Sequence, residues 1–125
     1  MIISKTITKS MIEAFAKVSG DYNPIHMNNE YAKTTKFKKR ICHGMLLGSF
    51  ISQHISEKYP KSIYISQSLT FHKPCFIGDK IKISSRILDS VENKITIRTE
   101  ITNNEDLIVD GIAKIKVKNI LRNTD

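Results

Sequence analysis

The pattern of apolar residues predicts an α+β fold, an antiparallel sheet wrapped around one central buried helix. Two observations carry that prediction. Between Gly44 and about Lys58, Met45, Leu46, Leu47, Phe50, Ile51 and Ile55 make a segment apolar on nearly every side, as a helix inside a core is. From Ile63 to Val117 the apolar period changes to two, with turn residues at Gly78-Asp79, Glu92-Asn93 and Asn103-Asn104. That pattern reads as three or four long antiparallel strands.

The elements follow in order. Residues 2–8 predict a short strand. Ser10-Met11-Ile12-Glu13 has the Ser-x-x-Glu form of a capping box. The helix it opens carries Ile12, Phe15, Ala16 and Ser19 at helical spacing, and Gly20 ends it. Asn28 is placed to cap a short helix through Glu30, Tyr31 and Ala32. A basic connection, Lys36-Phe37-Lys38-Lys39-Arg40, leads to Ile41-Cys42-His43-Gly44 and the central helix, which Tyr59-Pro60 closes. Met45 and Phe50 are expected in the core. Gln53, His54 and Glu57 fall late and read as a solvated helix end. Ile63 and Ile65 open a strand that continues through Leu69 and Phe71. Pro74 then breaks the chain before Ile81, Ile83 and Ile87 alternate, followed by Ile95, Ile97, Thr99 and Ile101, and then Leu107, Val109, Ala113, Ile115 and Val117.

A chain of 125 residues is close to the commonest domain size, and residues 1–125 are expected to form one domain. With 40% apolar residues it can bury a core. No apolar run approaches the ~20 residues that span a bilayer. The start, Met1-Ile2-Ile3-Ser4-Lys5, lacks the pattern of a signal peptide, so a cytoplasmic protein is expected. Cys42 and Cys75 form no metal-binding spacing and read as free thiols. The formal net charge of +8 is compatible with nucleic acid, an anionic surface, a phosphorylated small molecule or a merely solvated exterior.

The segment with most chemistry is Gly20-Asp21-Tyr22-Asn23-Pro24-Ile25-His26. Proline fixes its own φ and turns Asn23 away from helix, so a turn or loop is expected here, able to aim Asp21 and His26 into one cavity. A carboxylate titrating near ~3.9 beside an imidazole near ~6.5 suits the addition or removal of water. Spacing alone allows equally a turn-capping Asp and a satisfied core His. His43-Gly44 precedes the central helix, whose first N–H groups lack helical partners and could polarise a carbonyl. Gly44 would allow close approach; an ordinary glycine near a helix start remains open. Ser49 could line a site or bond back to its own helix. His72, beside Lys73-Pro74, reads as surface. The basic stretch suits a nucleotide-phosphate handle such as that of coenzyme A, or a solvated loop. It lacks the interleaved aromatics of a nucleic-acid platform. No P-loop, GxGxxG, GxSxG or His/Cys metal set is present, and neither a cofactor nor a metal is expected.

Phe15-Ala16-Lys17-Val18-Ser19-Gly20-Asp21-Tyr22-Asn23-Pro24-Ile25-His26, followed after five residues by Ala32, resembles the hydratase-2 signature of the MaoC-like, (R)-specific enoyl-CoA hydratases. The resemblance continues in Ile41 to Ser49, in Gln67-Ser68-Leu69-Thr70-Phe71 and in Phe76-Ile77-Gly78-Asp79. It implies a hot-dog fold that pairs into a homodimer, and the reversible hydration of trans-2-enoyl-CoA to (R)-3-hydroxyacyl-CoA. It further implies that Asp21 and His26 are the catalytic pair acting on a bound water. By the same likeness the Gly44 N–H binds the thioester carbonyl, and Asn23, His43 and Ser49 support the site. The partner expected is an acyl-CoA thioester, with no nucleic acid and no membrane. Short acyl chains are favoured, because the chain has no second hot-dog half. Cys42 stands where a small aliphatic residue is expected, with little effect foreseen.

The competing readings are a dehydratase acting on acyl carrier protein, a hot-dog thioesterase, a non-catalytic acyl-CoA-binding protein and a nucleic-acid module. A thioesterase would carry an acid early on the central helix, and this one has none there. Pure binding does not need the Asp21/His26 pair. Charge alone supports the nucleic-acid module.

Overall fold

In a computed structural model that describes residues 1–118, one antiparallel sheet curls around a helix. The last residues of the expected 1–125 domain lie outside the described ones. The first strand, β1, spans Ile3–Thr6 and pairs with β4, Lys80–Val91. β4, β5 (Lys94–Asn103) and β6 (Asp106–Lys116) form the central meander, and β2 (Ile63–Gln67) and β3 (Thr70–Phe71) both pair with β6. The six-stranded sheet has the order β1-β4-β5-β6-β2. Because all pairs are antiparallel, one face can stay wet while the other closes on the helix. Ile81, Ile83, Ile95, Ile97, Ile101, Val109, Ala113 and Ile115 point to the buried face.

The central helix, Gly44–Lys58 in the structure, packs Leu46, Leu47, Phe50, Ile51 and Ile55 into that core. Two expectations fail on it. His54 is fully buried, its Nε2 2.7 Å from Ser85 Oγ on β4, rather than solvated. It stands three residues after Ile51 and one turn before Lys58, so it shares the stripe that faces the sheet. Met45 is exposed rather than core, because it lies at the first turn where the sheet does not cover the helix.

The N-terminal helix runs Lys9–Ser19, and its cap is Thr8 rather than Ser10: Thr8 Oγ1 accepts from the Met11 N–H at 3.1 Å. Gly20 ends it at φ 80°, a left-handed conformation that glycine takes without penalty. A one-turn helix, Pro24–Met27, and a short helix, Asn29–Lys33, follow; Asn28 caps the latter as expected. His26 therefore sits on a helical turn and not in an irregular loop, since proline is well tolerated at a first helical position.

The expected strand through Phe71 is broken into β2 and β3. At the break Ser68 crosses β6, its N–H on the Ile112 carbonyl and its Oγ accepting from the Ile112 N–H. The Ser68 carbonyl passes so close to Gly111 that a Cβ there would run into it. Ile63 and Ile65 alternate as expected but are exposed along the edge strand β2. Ile87 is also exposed, just before a register shift in β4.

Candidate active site

The site is built where the end of the first helix, the Asn23 turn, the Ile41–Gly44 segment and β3 converge. Gly20 turns the chain so that Asp21 leaves the helix end. Asp21 Oδ1 accepts from the Asn23 N–H at 3.1 Å, and Asn23 Oδ1 accepts from the Ile25 N–H at 3.2 Å. The Asn23 carbonyl accepts from the His26 N–H at 2.9 Å. These local bonds, typical of Asp and Asn in turns, present Asp21 and His26 on the same side. Asp21 Oδ2 lies 4.0 Å from His26 Nε2.

His26 is held from behind. Its Nδ1 lies 2.8 Å from the Ile41 carbonyl, which can only accept, so Nδ1 carries the hydrogen. In the neutral ring Nε2 is then an acceptor and faces Asp21. Burial holds the His26 pKa below its ordinary value; the Ile41 bond and Asp21 oppose this and His43 adds to it. The His26 main-chain carbonyl in turn accepts from Nε of Arg40 at 2.6 Å, and Arg40 is buried.

His43 lies beneath. Its ring stacks on His26 with centroids 4.1 Å apart and touches Phe15 at 4.9 Å. Its Nε2 is 2.9 Å from the Asp21 main-chain carbonyl, and so donates to it. Asp21, His26 and His43 offer ligand atoms within 4.8 Å of one another. The His43 Nε2 donates to the Asp21 carbonyl and the His26 Nδ1 to Ile41, which leaves His26 Nε2 and His43 Nδ1 as the acceptor nitrogens of the two neutral rings. The His43 Nδ1 is buried and unpartnered.

Asp21, His26, His43 and Gly44 line one cleft of about 600 Å³, walled also by Met45, Leu47, Phe71, Cys42 and Cys75. Lys36, His72 and Lys73 stand on its lining. Gly44 is the first residue of the central helix, which has no side-chain cap, so its leading N–H groups are available to a ligand. A Cβ on Gly44 would lie 2.7 Å from Phe71 Cε1, so any side chain here would displace the Phe71 ring.

The structure thus brings Asp21, His26, His43 and Gly44 together. Asn23 supports them from the turn without lining the cleft. Ser49 does not line it in the single chain; its Oγ donates to the Leu46 carbonyl at 2.6 Å. His72 is partly exposed and pairs with Asp110 at 2.7 Å. The basic stretch divides: Lys36 lines the cleft, Lys38, Lys39 and Arg40 line a neighbouring groove with Lys33, and Arg40 braces His26. Sequence reasoning missed Ile41, Arg40 and Phe71. Ile41 acts through its carbonyl and left no side-chain signal. Phe71 becomes a wall only because β3 crosses the helix start.

The sequence matches the MaoC like domain family over residues 2–109. It is 40% identical over 119 residues to the (R)-specific enoyl-CoA hydratase of Rhodospirillum rubrum, covering 92% of this chain and 83% of that protein. It is 33% identical to a mitochondrial 3-hydroxyacyl-[acyl-carrier-protein] dehydratase of Arabidopsis thaliana, covering 94% and 74%. The structure superposes with a TM-score of 0.88 on the (R)-hydratase from A. caviae involved in PHA biosynthesis, at 34% identity and over 94% and 93% of the two chains. The curled sheet around a helix is the same hot-dog arrangement.

Proposed function

The chain belongs to the MaoC-like family, and from that premise we propose that it is a hydro-lyase that adds water reversibly to trans-2-enoyl-CoA, giving (R)-3-hydroxyacyl-CoA. The observation that carries the proposal is the facing of Asp21 Oδ2 and His26 Nε2 across 4.0 Å, beside the Gly44 end of the central helix. That gap is too long for a direct hydrogen bond and suits a bridging water. Both atoms are acceptors. A water held there donates one O–H to each and is left with a lone pair for the β-carbon of the enoyl thioester. One acceptor takes a proton as the C–O bond forms, and a proton from the pair is delivered to the α-carbon. Negative charge builds on the thioester oxygen, where the Gly44 N–H and the positive end of the helix stabilise it.

His43 fixes the Asp21 main chain, Asn23 shapes the turn, and Arg40 fixes the His26 main chain. Ser49 remains a supporting candidate through the assembled protein. The coenzyme A handle would follow Lys36 and the neighbouring Lys38 and Lys39, because phosphates seek such charge. Two copies are proposed to pair along the open edge of β2, where Ile63, Tyr64 and Ile65 are exposed; an unpaired apolar edge is otherwise a liability. The cytoplasm is the proposed compartment. No described helix is long and apolar enough to cross a membrane.

The test is hydration of crotonyl-CoA, followed by loss of the conjugated enoyl-thioester absorbance, with chiral analysis of the product. An (R)-3-hydroxy product supports the reading, and an (S) product or no turnover overturns it. A second reading, a dehydratase of carrier-bound substrates, draws on the net charge of +8, which suits an acidic carrier. A kcat/KM much higher for carrier-bound than for CoA-bound crotonyl groups would favour it.

A further inference from the structure

Cys42 and Cys75 stand opposite each other on the wall of the cleft. The Cys42 N–H bonds to the Cys75 carbonyl at 2.8 Å, and the neighbouring pair Ile41 and Phe76 forms an antiparallel bridge. Residues opposed across antiparallel chains have Cα atoms about 4.5–5.5 Å apart. That spacing lies inside the range of about 4.4–6.8 Å that a disulfide spans. Both side chains belong to the buried core, both are free thiols, and both line the cleft. We infer that this pair is a thiol–disulfide exchange site, closed to a reversible cross-strand disulfide by low-molecular-weight disulfides that enter the cleft.

The two thiols are not equivalent. Each perturbs the other first and foremost: Cys42 donates toward Cys75, which pushes the Cys42 thiol far up and draws the Cys75 thiol down. The exchange can start from either sulfur, since the thiolate is the nucleophile; from Cys75 it takes two steps. The Cys75 thiolate attacks one sulfur of a disulfide RS–SR, forming a mixed disulfide and releasing RS⁻. The Cys42 thiolate then attacks the Cys75 sulfur and releases the second RS⁻. The sum is RS–SR plus two protein thiols giving one protein disulfide and two RSH; the protein loses two electrons and two protons, and the small disulfide gains them.

The position gives the bond a consequence, which rests on the hydratase reading. Cys42 lies between Ile41, whose carbonyl holds His26 Nδ1, and His43, whose ring holds the Asp21 main chain. Closing the two thiols to an S–S bond of about 2.05 Å constrains the backbone that aims both catalytic groups. Oxidation then lowers turnover, and reduction restores it.

The experiment treats the folded full chain with glutathione disulfide and follows intact mass, free thiols and crotonyl-CoA hydration together. The expected result is a loss of two mass units and of both thiols, reversed by dithiothreitol, with turnover falling at least ~10-fold in step, a loss typical of misplaced catalytic geometry. Neither Cys42→Ala nor Cys75→Ala should lose two mass units, because a single thiol can hold only a mixed disulfide. Unchanged mass in the wild type, or stable mixed disulfides on both cysteines in place of the two-unit loss, overturns the exchange site. A disulfide that forms without change in turnover overturns its control of the reaction. Mass reports the pair whether or not crotonyl-CoA is turned over, so failure of the hydratase reading shows separately.

Discussion

The His26 and His43 rings lie stacked, their planes 29° apart and centroids at 4.1 Å, so that one imidazole faces the cleft and the other supports it from within. The arrangement divides the labour. In the proposed reaction His26 would offer Nε2 to the water, while His43 secures the Asp21 carbonyl and bears on the His26 ring electrostatically.

This relationship sets the pH dependence. Burial, helped by His43, lowers the His26 pKa, so the ring stays neutral to below its ordinary ~6.5. In hydration the neutral ring accepts from water, and activity is lost as pH falls through that lowered pKa. The acid limb of kcat/KM is therefore expected below pH ~6.5. In His43→Phe the stack persists but the imidazole's electrostatic influence on His26 and the bond to Asp21 go. The limb should move to higher pH, and kcat should fall. An unmoved limb would show that His43 serves packing alone. His54 also has its pKa lowered by burial, so stability is full above the unfolded value near ~6.5 and declines as pH falls below it.

Asp21→Asn and His26→Gln should each lower kcat by at least ~10²-fold, the scale of a general acid–base group. Asp21 is half exposed and its turn is local, so the fold should survive both changes. Near-full crotonyl-CoA hydration by either variant, with an intact circular dichroism spectrum, would remove that residue from the catalytic pair.

Asn23 and Ser49 should separate. Asn23 Oδ1 caps the turn that carries His26, and losing such a cap costs about 1 kcal/mol. Asn23→Ala is expected to lower both the urea midpoint and kcat. Ser49 Oγ is satisfied by its own helix, so Ser49→Ala should cost little in either. A loss in Ser49→Ala equal to that of Asp21→Asn would make Ser49 a principal group, reaching the site of a second copy in the proposed dimer.

Much of this was legible in the residues because period and punctuation are local. Gly20, Asn28 and the helix from Gly44 stand where spacing placed them. The first cap was missed because Thr8 and Ser10 are both competent, and only the backbone selects between them. The polarity of His54 points to solvent, whereas its place on the stripe with Ile51 buries it against Ser85. The Asp21/His26 turn was legible through its proline and its likeness to a known motif. What surrounds it was not: the Ile41 carbonyl, the Arg40 brace and the Phe71 wall arise from tertiary approach, which no local pattern records.

That approach yields the sharpest test of the carbonyl-binding role. Gly44→Ala places a methyl group 2.7 Å from Phe71 Cε1, so the ring or the helix start must shift. The Phe71 ring is half exposed and can swing outward, which limits the cost to stability. Turnover should suffer more, because the displaced ring or the new methyl intrudes where the thioester oxygen must reach the Gly44 N–H. We expect kcat/KM to fall by ~10²-fold, as when one oxyanion donor is lost. Phe71→Ala alone should change KM more than kcat, since it removes wall and not donor. The double variant decides between two causes. If the ring is the obstacle, Phe71→Ala restores much of the Gly44→Ala loss, and the two changes are strongly non-additive. If the methyl itself blocks the N–H, the loss persists in the double variant. Full activity in Gly44→Ala alone would mean that the thioester carbonyl is held elsewhere.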